Sequence, residues 1–229
     1  MKYFGLVMSG FMTAAYLCPQ AVHAAEIGDL SVSGELTLVN DYRFRGVSLS
    51  DKDPALQAAL SLEHGSGFYV SAWGSTVDDI AGADVEIDII TGYSHDLGEG
   101  RTVDVGLIWY TYPGGNDVNY WEAFSTYAMP LGQGAASVGV NYVWSQENSG
   151  NRDNIYVWMG AEHLLGSSPF TLDGYVAFED GAFAHDKLEW TVGISTEWQG
   201  IGLRLGYLDT DQNFREADAT VMFSVGVAF

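Results

Sequence analysis

The chain has 229 residues, with 30 Asp and Glu against 9 Lys and Arg, for a formal net charge of −21. Such acidity repels nucleic acid and anionic head groups and attracts cations. With 47% hydrophobic and 14% aromatic residues, and a mean hydropathy of +0.03, the chain is too apolar to be a disordered acidic polymer.

Residues 1–24 read as a secretory signal. Lys2 is the only charge, Phe4 to Leu17 form a short apolar stretch, and Val22, His23 and Ala24 place small residues at the usual cleavage positions. A membrane helix is the alternative, but Gly5, Gly10 and Pro19 interrupt it. The expected mature chain is therefore one domain, 25–229. Cys18 follows Tyr16 and Leu17, where lipidation needs small residues. Removing the leader leaves no cysteine, which excludes disulfides, thiolate catalysis and Cys-based metal sites. It also removes Lys2 and no acid, so the charge passes from −21 to −22. No later segment is apolar enough to span a membrane as a helix. The longest uncharged stretch, 123–146, contains Pro130, Gly132, Gln133, Gly134 and Asn141. A membrane protein without a spanning helix must be a closed barrel, because only closure satisfies every backbone group in lipid.

In chain order, period-two segments are expected near 31–45, 57–63, 68–75, 84–94, 101–112, 119–128, 136–145, 154–162, 170–179, 187–198, 201–208 and 218–229. In the first, Val32, Leu36, Leu38, Tyr42 and Phe44 oppose Ser33, Glu35, Thr37, Asp41, Arg43 and Arg45. In the fourth, Val85, Ile87, Ile89 and Tyr93 oppose Asp84, Glu86 and Asp88. In the last, Ala219, Val221, Phe223, Val225, Val227 and Phe229 share one face. That strand ends the chain on an aromatic, like the terminal recognition strand of bacterial outer-membrane barrels. Phe223, Val225, Val227 and Phe229 are thus the expected signal for the barrel-assembly machinery. The fold class expected is all-β: a transmembrane, up-and-down antiparallel β-barrel of twelve strands.

The connections agree with this layout. Short turns around 63–67, 94–100, 129–135, 163–169 and 199–200 fall on one side, the expected periplasmic side. Longer, acidic loops around 46–56, 76–83, 113–118, 146–153, 180–186 and 209–217 fall on the other. Outward aromatics sort into two belts: Phe68, Tyr93, Tyr127, Phe170, Trp198 and Phe229 at periplasmic ends, and Tyr42, Phe44, Trp109, Trp121, Trp144 and Tyr207 at outer ends. A soluble β-sandwich could alternate as well, but would not need two aromatic girdles or a terminal Phe.

Asn40 to Ser48, followed by Asp51 and Asp53 to Gln57, resembles the opening signature of the TorF family of porins. Gly67, Phe68, Tyr69 and Trp73 fit as well, as do Trp109 to Gly114 and Tyr120 to Glu122, while Ala58 and Ala59 stand where small glycines are expected. The resemblance spans essentially the whole mature chain. It implies a barrel of this size in the outer membrane of a Gram-negative bacterium, and implies little about substrate.

If apolar positions face lipid, the lumen receives Glu35, Asp41, Glu63, Glu86, Asp88, Asp104, Glu122, Glu162, Asp173, Glu189, Glu197 and Asp218. The inward cations are Arg43, Arg45 and Arg204, with Lys187 near a rim. Charge inside a barrel must be hydrated, paired, or both. Two readings stand at this point. One is a narrow aqueous pore lined by Glu35, Asp41, Arg43, Arg45, Glu86, Asp88, Asp104, Glu122, Glu189 and Arg204, passing small solutes or ions and favouring cations. The other is a closed structural or adhesive barrel, cross-braced by Arg–carboxylate pairs, with acidic surface loops. Expected partners are outer-membrane lipids and lipopolysaccharide, the assembly machinery, and small solutes or cations, with no nucleic acid.

Enzymatic readings are thin. Asp78-Asp79 and His185-Asp186 resemble in type the pairs of omptin proteases, but their flanking residues do not match. No Ser–His pair suits a lipase. The run Asp209, Thr210, Asp211, Gln212, Asn213 begins like a calcium loop, but Phe214 replaces the required Gly and Thr220 the bidentate Glu. No catalytic residue, metal site or cofactor is expected.

Overall fold

A computed structural model describes residues 25–229. The expected leader, Cys18 included, lies outside the described residues. Twelve strands build the wall: β1 Leu30–Val39, β2 Ala55–His64, β3 Phe68–Ile80, β4 Ala83–Gly98, β5 Arg101–Thr111 and β6 Tyr120–Leu131. They continue as β7 Gly134–Val143, β8 Asn154–Leu164, β9 Thr171–Gly181, β10 Lys187–Trp198, β11 Ile201–Thr210 and β12 Thr220–Ala228. Each strand pairs antiparallel with its chain neighbour, and β12 returns to β1 in the register Ser224↔Val39 to Ala228↔Glu35. The sheet is closed. A short strand, Ala25–Ile27, continues the β1 ladder below the end of β12.

Closure leaves no exposed strand edge, and the strand length follows from the need to cross lipid at a tilt. The period-two pattern decides which face each residue takes. Leu36, Leu38, Leu56, Leu60, Val105, Val140, Val176 and Leu205 are all exposed on the outside. A water-facing surface does not carry so broad an apolar band. Aromatics collect at both edges of the band. Trp109 stacks on Trp121 with ring centres 5.6 Å apart at the loop end, and Phe68 meets Tyr93 at 4.8 Å at the end carrying the termini.

Turn chemistry sets the register. Gln199 and Gly200 join β10 to β11 with φ of 55° and 79°, the mirror-image turn whose twist matches the flanking strands. Ala81 and Gly82 do the same between β3 and β4, with φ of 51° and 96°. Consequently β3 runs on to Ile80, past the expected 75, and the expected loop around 76–83 shrinks to this turn.

The largest departure is in the first segment. Alternation predicts a strand through residue 45, yet β1 ends at Val39. Asn40 closes the ladder: its Nδ2 donates to Val221 O at 3.0 Å, and its Oδ1 accepts from Phe223 N at 2.6 Å. With its donor and acceptor spent on β12, the chain leaves the wall and turns inward. Arg43–Phe44 and Val47–Ser48 form a small hairpin of their own. Tyr42 and Phe44 are therefore not part of the outer aromatic belt. Tyr42 is buried inside the barrel and packs on Trp73 with ring centres 5.4 Å apart, and Phe44 meets Tyr110 at 5.6 Å.

Candidate functional site

The lumen is the site, and the inward hairpin closes one end of it. Arg45 and Gly46 form the hairpin tip with φ of 48° and 82°. A side chain at Gly46 would collide with Thr210 Cγ2 on β11, so the tip fits only without one. Asp41 organises the base: its Oδ2 accepts from Arg43 Nε at 2.7 Å, and its Oδ1 from Ser48 Oγ at 2.6 Å. Arg43 Nη1 then donates to the carbonyl of Glu216 at 2.6 Å, tying the hairpin to the β11–β12 loop.

Arg45 anchors the tip across the lumen. Its Nη2 lies 2.7 and 2.6 Å from the two carboxylate oxygens of Glu122 on β6, and its Nη1 lies 3.0 Å from Glu179 Oε1 on β9. The guanidinium also sits over the Tyr156 ring at 4.3 Å. Lys187 Nζ donates to the Arg45 carbonyl at 2.6 Å and pairs with Glu179 at 2.5 Å. Tyrosine hydroxyls bind two further acids of this layer. Glu86 accepts from Tyr42 and Tyr112, each at 2.8 Å, and Glu189 from Tyr156 at 2.7 Å and Tyr175 at 2.9 Å. Glu122 also accepts from Asn141 at 2.7 Å.

The terminus end is built differently. Arg204 on β11 reaches Asp173 on β9 through Nη2 at 2.6 Å and Nε at 3.1 Å. Its guanidinium lies flat across Gly193 and Gly206, where any Cβ would strike it. Asp104 accepts from Tyr69 Oη at 3.1 Å. Glu35, Glu63, Ser94, Ser137 and Glu162 remain half-buried here, whereas Glu86, Glu122, Asn141, Tyr156, Glu179 and Glu189 at the loop end are buried. The inner face is thus partly exposed at the terminus end, where Asp104, Asp173 and Arg204 are nevertheless buried, and the hairpin covers it at the other.

Of the residues expected to line the lumen, Glu86, Asp88, Asp104, Glu122, Glu189 and Arg204 are buried on the inner face, and Glu35 is half-buried there. Asp41, Arg43 and Arg45 are inside as well, but on the hairpin rather than on a wall strand. Glu197 and Asp218 are exposed at the rims. Glu179 was not among the expected residues, although it ends the expected segment 170–179. Its signal was available: it continues the phase of Asp173 along β9.

The acidic pairs on the loops close turns. Asp79 Oδ1 accepts from Gly82 N at 2.9 Å. His185 Nδ1 lies 3.0 Å from Asp180 Oδ1, and its Nε2 lies 3.6 Å from Asp186 Oδ2. The Asp180 hydrogen bond raises the His185 imidazole above its ordinary value. Asp180, His185 and Asp186 each offer one ligand atom within 4.8 Å of the others, on the exposed loop. In the calcium-like run, Asp209 and Thr210 end β11, and Asp211 Oδ1 accepts from Leu188 N of β10 at 3.0 Å.

The family model described as "Bacterial protein of unknown function (Gcw_chp)" matches residues 23–226. The chain belongs to this family. No curated protein matches it. Among solved structures, this Gcw_chp chain is similar to the KdgM porin, with a TM-score of 0.60 at 8% identity over 86% of this chain and 98% of that one. The NanC porin gives a TM-score of 0.58 at 13% identity, again over 86% and 98%. The COG4313 outer membrane channel from Pseudomonas putida F1 gives 0.50 at 10%, over 91% and 98%. At these identities the likeness is one of fold: the Gcw_chp barrel has the architecture of outer-membrane porins.

Proposed function

We propose that this protein is an outer-membrane channel of the porin type, passing small solutes or ions and favouring cations. The observation that carries this reading is the charge of the interior. Eight buried carboxylates (Asp41, Glu86, Asp88, Asp104, Glu122, Asp173, Glu179 and Glu189) stand against four buried cations (Arg43, Arg45, Lys187 and Arg204). Half-buried Glu35, Glu63 and Glu162 add to the surplus at the terminus end. A narrow acid-lined passage concentrates cations and repels anions. A KdgM porin structure is described as a complex with disordered oligogalacturonate. That polycarboxylate would meet like charge here, so the substrate class differs.

The resemblance to TorF-type porins supports the same reading, and the residues that carried it, Asn40 to Ser48, build the inward hairpin. In this reading the hairpin narrows the outer mouth, and the acidic loops face the medium and the lipopolysaccharide. The machinery that inserts barrels engages the terminal strand through Phe223, Val225, Val227 and Phe229. A second reading, a closed structural barrel, is favoured by one specific observation: Arg45 is bound on both sides, by Glu122 and Glu179, and leaves the loop end sealed.

Single-channel recording of refolded protein in a planar bilayer under a salt gradient separates the two. Discrete steps with a cation-selective reversal potential support the channel. A zero or anion-selective potential sinks the cation preference. A silent membrane, from protein whose gel mobility is heat-modifiable, favours the closed barrel.

A further inference from the structure

We infer that the closed interior holds a resident monovalent cation at Asp88, an alkali-metal ion or an ammonium group. Asp88 projects inward from β4 and is 1% exposed, yet both of its carboxylate oxygens lack a hydrogen-bond partner. Its cross-strand neighbours are Trp73 on β3 and Tyr110 on β5. Tyr110 donates its hydroxyl to Glu122 instead, at 3.1 Å. Glu86, two residues along the same face, has its oxygens taken by Tyr42 and Tyr112. Burial is the largest influence on Asp88, and the neighbouring groups that act on it are two further carboxylates, Glu86 and Glu122.

The buried cations are committed elsewhere: Arg43 to Asp41, Arg45 to Glu122 and Glu179, Lys187 to Glu179 and Glu189, and Arg204 to Asp173. A buried carboxylate with no partner, beside two further acids, takes up either a proton or a cation from outside the chain. The surroundings choose the type of cation. One open carboxylate matches a single positive charge rather than a divalent one, and the remaining oxygens that calcium or an alkali ion needs would have to be water. Aromatic rings on either side suit a weakly hydrated single charge. The site belongs to the folded interior and is independent of whether the barrel conducts.

The test is thermal unfolding of the refolded protein at fixed ionic strength. Potassium, sodium or methylammonium replaces the bulky cation N-methylglucamine. The midpoint should rise saturably, by about 3 °C or more, and Asp88→Asn should abolish the rise. A response to potassium or sodium assigns the site to alkali ions, and a response to methylammonium alone assigns it to amines. A wild-type midpoint indifferent to all three overturns the proposal, as does an equal rise in Asp88→Asn. Should Asp88→Asn fail to refold, Asp88→Ser is read in the same way.

Discussion

Arg45 and Glu122 lie 77 positions apart in the chain, and the Arg45 Nη2 contacts both oxygens of the Glu122 carboxylate at 2.7 and 2.6 Å. A guanidinium suits this contact because its planar fork fixes direction as well as charge. The pair ties a loop to the far wall and thereby closes one end of the barrel.

Replacing Arg45 with Ala leaves Glu122 and Glu179 buried with less compensation. Breaking such a pair costs about 3–5 kcal/mol, less whatever water recovers. The expected result is a lower unfolding midpoint together with larger conductance in the bilayer assay. Arg45→Lys should restore the charge without the fork and fall between the two. Conductance unchanged from wild type would remove the hairpin from any part in closing the lumen.

Gly46 tests the hairpin from the opposite direction. Gly46→Ala adds a Cβ at φ of 82° and against Thr210, which costs about 1–3 kcal/mol locally. The barrel wall should persist while the tip withdraws. Limited trypsin digestion should then cut after Arg43 and Arg45, which are buried in the wild type. Equal resistance in both proteins would contradict the seating of the tip.

The Arg204–Asp173 bridge depends on two missing side chains. Gly193→Ala pushes into the Arg204 guanidinium, an overpacking expected to cost about 1–3 kcal/mol. Urea unfolding of the refolded barrel measures it, and a change below about 0.5 kcal/mol would mean that Arg204 has room to move.

Leu60 lies midway along β2 and is exposed outward. Leu60→Arg should cost about 2–4 kcal/mol in a lipid bilayer, as for a cation at the midplane of a barrel. On a water-facing surface the same change falls within about 0.5 kcal/mol. Unfolding titrations in liposomes distinguish the two directly.

Phe229 exchanges two backbone hydrogen bonds with Gly34, at 2.7 and 2.9 Å, and the residue is 57% exposed. Deleting it removes both bonds, each worth about 1 kcal/mol, beside the seam that closes the barrel. The expected outcome is a smaller heat-modifiable fraction both in refolding and in cells. A loss confined to cells would assign Phe229 to recognition by the assembly machinery rather than to stability.

The strand pattern was legible because it is local. In 187–198, alternate residues face lipid or lumen whatever the rest of the chain does, and the observed β10 has those bounds. The outward aliphatics, the two aromatic edges and the inward acids follow from the same period of two. The fate of Asp41 to Arg45 was not legible, because a hairpin and a spanning strand share that period. Tyr42 and Phe44 are apolar, and lipid or a filled lumen satisfies them equally. What decides between the two is the binding of Arg45 by Glu122 and Glu179, which come within reach only after β6 and β9 have closed into one ring. Asp88 belongs to the same class: its inward direction is written in the alternation with Ile87 and Ile89. Its lack of a partner arises only when every neighbouring hydroxyl and cation has been assigned elsewhere by the tertiary fold.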